Sequence, residues 1–179
     1  MKRIVPMLLL GLAASGGAAG AASIGFGVFG GTSVPVVQDD ARAGAVYGLR
    51  LPVDVVPMLR LEPYWSRAAL GDVEETFAGL PYTRDGGAVS AFGLNAMLST
   101  GGPLRFYPFV GLGSCALTRE ATADRTEIGY DAGLGLALSP LPGLEVDLRG
   151  EFVIIPLDET SRKFVNVTLG ASYRFLNLP

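Results

Sequence analysis

The chain contains no histidine, and that absence excludes two broad kinds of chemistry. Ser-His-Asp hydrolysis needs an imidazole to take the serine proton, and the usual zinc sites draw on imidazole ligands. Cysteine is nearly as scarce. The single Cys115 rules out an internal disulfide, and its place in an apolar stretch reads as a small buried hydrophobe with no redox role. Charge is thin as well. Lys and Arg number 14 against 17 Asp and Glu, for a net charge of −3, so there is no basic footprint for nucleic acid. After the first 22 residues no apolar run reaches the about 20 residues that a spanning helix needs. No cofactor is expected. Glycine, in contrast, is plentiful at 25 residues, and the mean hydropathy is +0.39.

The N-terminus reads as an export signal. Lys2 and Arg3 form a charged start, Ile4 to Leu12 a short apolar core, and Ala13 to Ala22 a small-residue stretch. Ala19-Gly20-Ala21 is an A-x-A-like cleavage site, so residues 1–21 are expected to be a removed signal peptide. Residues 22–179 then form one domain, with Ser23 as the alternative start. Outside the cytoplasm a lone cysteine must be sheltered, which agrees with a buried Cys115. No cysteine stands at the cleavage site, so a lipoprotein is not expected.

Alternation carries the rest of the chain. In Phe164–Phe175, Val165, Val167, Leu169, Ala171, Tyr173 and Phe175 share one face, and Asn166, Thr168, Gly170, Ser172 and Arg174 the other. Period-2 patterning of this length predicts a half-buried strand. The same pattern sets Ile128, Tyr130, Ala132, Leu134, Leu136 and Leu138 against Gly129, Asp131, Gly133, Gly135, Ala137 and Ser139. It also sets Leu144, Val146, Leu148, Phe152 and Ile154 against Glu145, Asp147, Arg149 and Glu151. Eight strands are predicted, at 23–33, 43–53, 59–70, 88–99, 104–118, 126–139, 144–155 and 163–175. The first and fifth are ambiguous, because both of their faces are apolar or glycine.

Connections alternate in length. Those at 53–58, 100–103 and 140–143 are short, and those at 34–42, 71–87, 119–125 and 156–162 are longer and polar. Short periplasmic turns, longer extracellular loops and an even strand number are the pattern of an outer-membrane barrel. The expected fold is all-β, an eight-stranded antiparallel up-and-down transmembrane β-barrel with both termini periplasmic. Alternation alone does not say which face points inward, and a soluble lipocalin-like barrel has the same period with an apolar inside. Glycines gathered on the polar face favour the membrane orientation, since a narrow lumen is crowded. So do the outward aromatics. Phe26, Phe106, Tyr173 and Phe175 fall near one rim, and Tyr47, Trp65, Phe92, Tyr130 and Phe152 towards the other, as the two interfacial belts of a bilayer require.

Two resemblances follow from these residues. Thr168-x-Gly170-x-x-Tyr173-x-Phe175 resembles the C-terminal β-signal read by the outer-membrane barrel assembly machinery, which makes Thr168, Gly170, Tyr173 and Phe175 candidate assembly residues. The mature chain resembles the eight-stranded OmpA/OmpX-like outer-membrane barrel family over its whole length, as a barrel domain only. Gly25-Phe26-Gly27-Val28-Phe29-Gly30-Gly31 and Pro108-Phe109-Val110-Gly111-Leu112-Gly113 are phrases typical of it. The resemblance implies outer-membrane lipid as the surrounding partner, the assembly machinery as a transient one, and a monomer. Family enzymes of this size, the lipid A palmitoyltransferase and the lipid A deacylase, rely on a histidine, so their mechanism does not carry over.

One constellation of chemistry remains. Arg50, Arg60, Arg105, Arg149 and Arg174 are predicted to face the lumen beside Glu62, Asp131, Glu145, Asp147 and Glu151. It reads as a structural plug, with a proton or ion path as the alternative, because eight-stranded barrels leave room only for side chains. Arg50 is expected beside Glu62, and Glu145 beside Arg174. Gly25-x-Gly27-x-x-Gly30 matches a dinucleotide fingerprint but lies within a strand instead of opening a helix. Asn166-Val167-Thr168 matches a glycosylation acceptor in mid-strand, where lumenal polarity explains it. The acidic Asp72-Val73-Glu74-Glu75 lacks the spaced ligands of a calcium loop. The expected function is that of a non-enzymatic structural or adhesive barrel of the bacterial outer membrane. Loop 71–87 would meet an unidentified extracellular ligand. Alternatives are a small porin or a lateral route for apolar solutes and, more weakly, a lipid-modifying enzyme.

Overall fold

The computed structural model describes residues 23–36, 41–77, 80–100, 102–119, 122–158 and 160–177. The expected signal peptide lies outside these residues. The strands are β1 (Ser23–Pro35), β2 (Arg42–Arg50), β3 (Val53–Val56), β4 (Leu59–Gly71), β5 (Val73–Phe77), β6 (Leu80–Arg84), β7 (Ala88–Leu98), β8 (Leu104–Arg119), β9 (Thr122–Leu141), β10 (Leu144–Pro156) and β11 (Ser161–Asn177). Each barrel strand pairs antiparallel with its neighbours, and β1 pairs with β11 from Ser23–Asn177 to Pro35–Phe164, which closes the sheet. Closure leaves no unpaired edge, the condition for crossing hydrocarbon with strands. β2 and β3 act as one barrel strand, since both lie between β1 and β4. Eight strands therefore form the wall.

The faces are settled by burial. Leu169 is 62% exposed and Thr168 beside it 6%; Leu134 and Leu136 are likewise exposed, while Asp147 and Glu145 are buried. An apolar outside around a polar inside is the reverse of a soluble barrel, so the lipocalin-like orientation is excluded. The two ambiguous strands resolve in the same way. β1 turns Phe26 and Val28 outward and buries Ser23, Gly25, Gly27 and Ser33; β8 turns Phe106, Val110 and Leu112 outward and buries Tyr107, Phe109 and Cys115.

Three expected boundaries move. The turn placed at 53–58 contracts to Pro57 and Met58, because Val53-Asp54-Val55-Val56 is β-branched strand sequence and re-enters the sheet as β3. Pro52, which has no N–H to give a ladder, interrupts the strand, and its carbonyl still accepts the Gly25 N–H at 2.9 Å. The link at 119–125 is mostly sheet, with pairing continued to Arg119–Thr122. Loop 71–87 is built around a second small sheet, the hairpin β5–β6. Both regions project beyond the apolar band with water on each side, as the exposed Asp124, Arg125 and Thr126 show for β9, so no hydrophobic period marks them. At the opposite end, β9 and β10 join through Pro142 and Gly143, where a φ of +79° suits glycine. We call that the turn end and the other the loop end.

Candidate functional site: the lumenal network and the loop-end mouth

Alternation delivers the inward side chains of every wall strand to a space narrow enough for them to meet across it. Nearest the turn end, Glu145 on β10 collects three guanidiniums. Arg60 on β4 holds it with two bonds, at 2.6 and 3.1 Å; Arg174 on β11 donates a third at 2.8 Å; and Arg105 on β8 donates a fourth. Arg60 also donates to Asp54 on β3 at 2.7 Å, and Ser23 donates to the same carboxylate at 2.6 Å. One level up, Asp147 is held by both terminal nitrogens of Arg50, one of them at 2.9 Å, by Arg149 Nε at 2.5 Å, and by the Tyr107 hydroxyl at 2.5 Å. Arg149 then grips Glu62 through both terminal nitrogens, at 2.5 and 3.0 Å. Its guanidinium also lies 5.4 Å from the Tyr107 ring centre and 5.7 Å from that of Phe109, a cation–π geometry. Paired, bidentate geometry is what makes so many buried charges tolerable.

The ten charged residues expected in the lumen all lie there, but their partners differ in part. Glu145 and Arg174 do pair. Arg50 does not pair with Glu62: it crosses to Asp147, and Glu62 takes Arg149 instead. The expected balance of signs also shifts, because Asp54 joins the network through β3. Gly170, singled out for assembly, has a second use here. A Cβ at this position would fall 2.8 Å from Asp147 Oδ1 and 2.9 Å from Arg50 Cζ, so glycine leaves room for that ion pair. Tyr107 and Phe109 are not among the residues expected in the lumenal network, although their alternation with the outward Phe106, Pro108 and Val110 was a usable signal.

Above the network the filling changes. Val89, Ala91, Cys115, Val153, Ile155 and Phe164 form a buried apolar cluster inside the loop-end half of the barrel. Cys115 is sheltered there. Over it lies a cavity of about 220 Å³ at the mouth, floored by Leu70, Val89, Leu117 and Leu157 with Arg125 and Arg162 at its rim. Arg125 is committed to Glu127 at 2.6 Å and to Asp158. Beside this mouth the β5–β6 hairpin presents Leu80 and Tyr82, 71% and 53% exposed.

On the outer face Tyr47, Trp65, Phe92, Tyr130, Tyr173 and Phe175 are all exposed. Tyr47 and Trp65 meet edge to face, with ring centres 6.2 Å apart. Tyr173 is the register partner of Phe26 near the turn end. Arg67 shares the outer face with the loop-end aromatics, opposite Tyr47, and donates to Ser90 Oγ at 3.3 Å. Among the described residues no cluster of three or more His, Cys, Asp or Glu gathers as a metal site would.

No protein-family model matches the chain, and no curated protein matches it by sequence. Solved structures do. Neisserial surface protein A superimposes with a TM-score of 0.59 at 14% identity, covering 87% of this chain and 99% of that one. The N-terminal β-barrel domain of Pseudomonas aeruginosa OprF gives 0.54 at 15% identity over 86% and 97%. Ail, the attachment invasion locus protein of Yersinia pestis, gives 0.51 at 15% identity over 87% and 99%. The closed antiparallel wall, the apolar exterior and these likenesses agree: the chain has the fold of the eight-stranded outer-membrane β-barrels.

Proposed function

We propose that this barrel is a non-enzymatic structural or surface-interaction protein of the bacterial outer membrane. The observation that carries the reading is the pairing of a cross-braced lumen with an exposed apolar hairpin. Loops on a rigid scaffold are where recognition is built, and apolar side chains held out in water favour contact with another surface. With the loop end outside the cell, both ends of the barrel chain lie in the periplasm. Leu80, Pro81 and Tyr82 at the start of β6 then form the apolar surface that meets an extracellular partner. The neighbour from Yersinia pestis carries attachment in its name, which supports the same class of role. Deleting residues 73–84 should abolish binding to a host-cell or matrix ligand found in a screen with the intact protein, and should leave the boiled-versus-unboiled gel shift unchanged. Retained binding would move the recognition surface elsewhere.

In this reading the lumen is a brace and conducts nothing. A planar bilayer containing the purified protein should show no steady single-channel current. A stable, ion-selective current would favour the small-porin reading. The apolar cavity at the mouth supports a second reading, entry of apolar solutes from the loop end. Tyr173 and Phe175 serve delivery as well as the aromatic belt, with Thr168 and Gly170 completing the signal. Replacing both aromatics with Ala should leave secretion intact and hold the protein in the periplasm, and normal outer-membrane levels would remove the assembly role.

A further inference from the structure

Above the Glu62–Arg149 bridge, two lumenal carboxylates take neutral partners. Asp54, Glu62, Glu145 and Asp147 each accept from arginine. Asp131 instead takes the Tyr64 hydroxyl at 3.2 Å, and Glu151 the Asn166 amide at 2.7 Å. Neutral donors offset only part of the cost of burying a carboxylate. The same stretch holds three buried oxygens that accept no hydrogen bond: Asn95 Oδ1, Asp131 Oδ1 and Asn166 Oδ1. Their residues are 3%, 6% and 6% exposed.

The arrangement converges. Asn95, Gly111 and Asp131 are register partners on the consecutive strands β7, β8 and β9, so their inward sides share one level of the wall. A methyl group at Gly111 would run into Asn95 Oδ1 and both oxygens of Asp131, the farthest 2.6 Å away. The glycine lets these oxygens draw together. Glu151 and Asn166 are register partners on β10 and β11, the next two strands around the wall. Acceptors in excess of donors, with two carboxyl groups that accept no hydrogen bond from a guanidinium, make an all-oxygen donor set of the kind hard cations prefer.

We propose that Asn95, Asp131, Glu151 and Asn166 form a lumenal site for one hard, calcium-class cation. Asp131 anchors it beside Asn95 Oδ1, and the Glu151 and Asn166 oxygens close it from the other side. The apolar cluster of Val89, Ala91, Cys115, Val153, Ile155 and Phe164 lies between it and the loop end, so the cation pins β7–β9 to β10–β11 and is not a permeant ion. Only two of the four donors are carboxyl groups, which places the affinity in the weak range of extracellular calcium modules, about 10⁻⁴–10⁻³ M. This inference is independent of the proposed surface role.

The test uses the whole barrel, refolded from urea into detergent with a chelator so that no ion is carried over. Terbium chloride is the first probe, because the Tyr64 hydroxyl bonded to Asp131 places a tyrosine sensitiser at the site. Terbium emission that calcium chloride displaces is expected, and it should weaken at least about tenfold in Asp131→Asn, as losing a ligand charge predicts. Calcium chloride at ten times its dissociation constant should raise the thermal midpoint by roughly 3–6 °C over choline chloride of equal ionic strength. Glu151→Gln, which keeps the shape and removes the second charge, should lose the same shift. Equal emission from the unmodified protein and Asp131→Asn overturns the proposal. So does a calcium shift that is absent in the unmodified protein or retained in Glu151→Gln.

Discussion

The turn-end half of the lumen is filled by guanidinium and carboxylate groups packed against Met97, Tyr107, Phe109 and Ala137, the loop-end half by aliphatic and aromatic side chains alone, and the two fillings respond differently to change. In the charged half the two central carboxylates are each held by several groups: Asp147 by Arg50, Arg149 and Tyr107, and Glu145 by Arg60, Arg105 and Arg174. Removing one partner there strands a charge that water cannot reach. In the apolar half contacts are non-directional, so trimming a side chain removes only the transfer free energy of the lost atoms and leaves a small void. The charged half therefore fixes which strand faces which, and the apolar half fills space. Both sit inside the same lipid-facing wall, which gives the comparison a third surface.

The charged half should break most severely. Arg149→Leu leaves Glu62 without its bidentate partner and Asp147 with one fewer, at a cost of about 3–5 kcal/mol. Urea unfolding followed by Trp65 fluorescence checks this, and a loss under about 1 kcal/mol would mean that the pair is wet. Glu62→Gln in the same background should then cost far less than it does alone, since the two changes remove one interaction. The outer wall comes next. Leu169→Arg places a cation against hydrocarbon and should cost ~2–4 kcal/mol near the bilayer midplane, with the gel shift of unboiled samples as a second readout. Thr168→Ala, one residue away on the inward face, should be milder. Equal tolerance of the two would contradict the burial of Thr168 and the exposure of Leu169. The smallest effect belongs to the apolar half. Ile155→Val, in the middle of the cluster, should cost about 0.5–1.5 kcal/mol and should be unaffected by salt.

Legibility in the sequence followed the same division. Polar, charged or small inward residues alternating with larger apolar ones made β9, β10 and β11 readable, since only one face suited a membrane. Where the lumen is apolar the contrast between faces disappears. Val153 and Ile155 continue β10 past Glu151 as inward residues, yet Phe152 and Ile154 between them are apolar too. The same loss of contrast hides Val89 and Ala91 on β7. At the loop end both faces of β9 are wet, so its first turn of sheet looked like a linker. Asp54 was missed because 53–58 reads as the turn after the 43–53 strand, when Val53–Val56 continues that strand as β3 beyond an interruption at Pro52.

By itself the sequence determined the closed eight-stranded wall, its apolar exterior and all the inward charges but Asp54, because a period of two fixes the face of every residue once the exterior must be apolar. Only the tertiary structure decided who pairs with whom. Arg50 lies 97 residues from Asp147, and Arg149 lies 87 from Glu62. Local spacing favoured Arg50 with Glu62 across a turn, but in so narrow a barrel the opposite wall is as near as the adjoining strand. Long, forked arginines reach across it to the carboxylate that accepts them with two bonds.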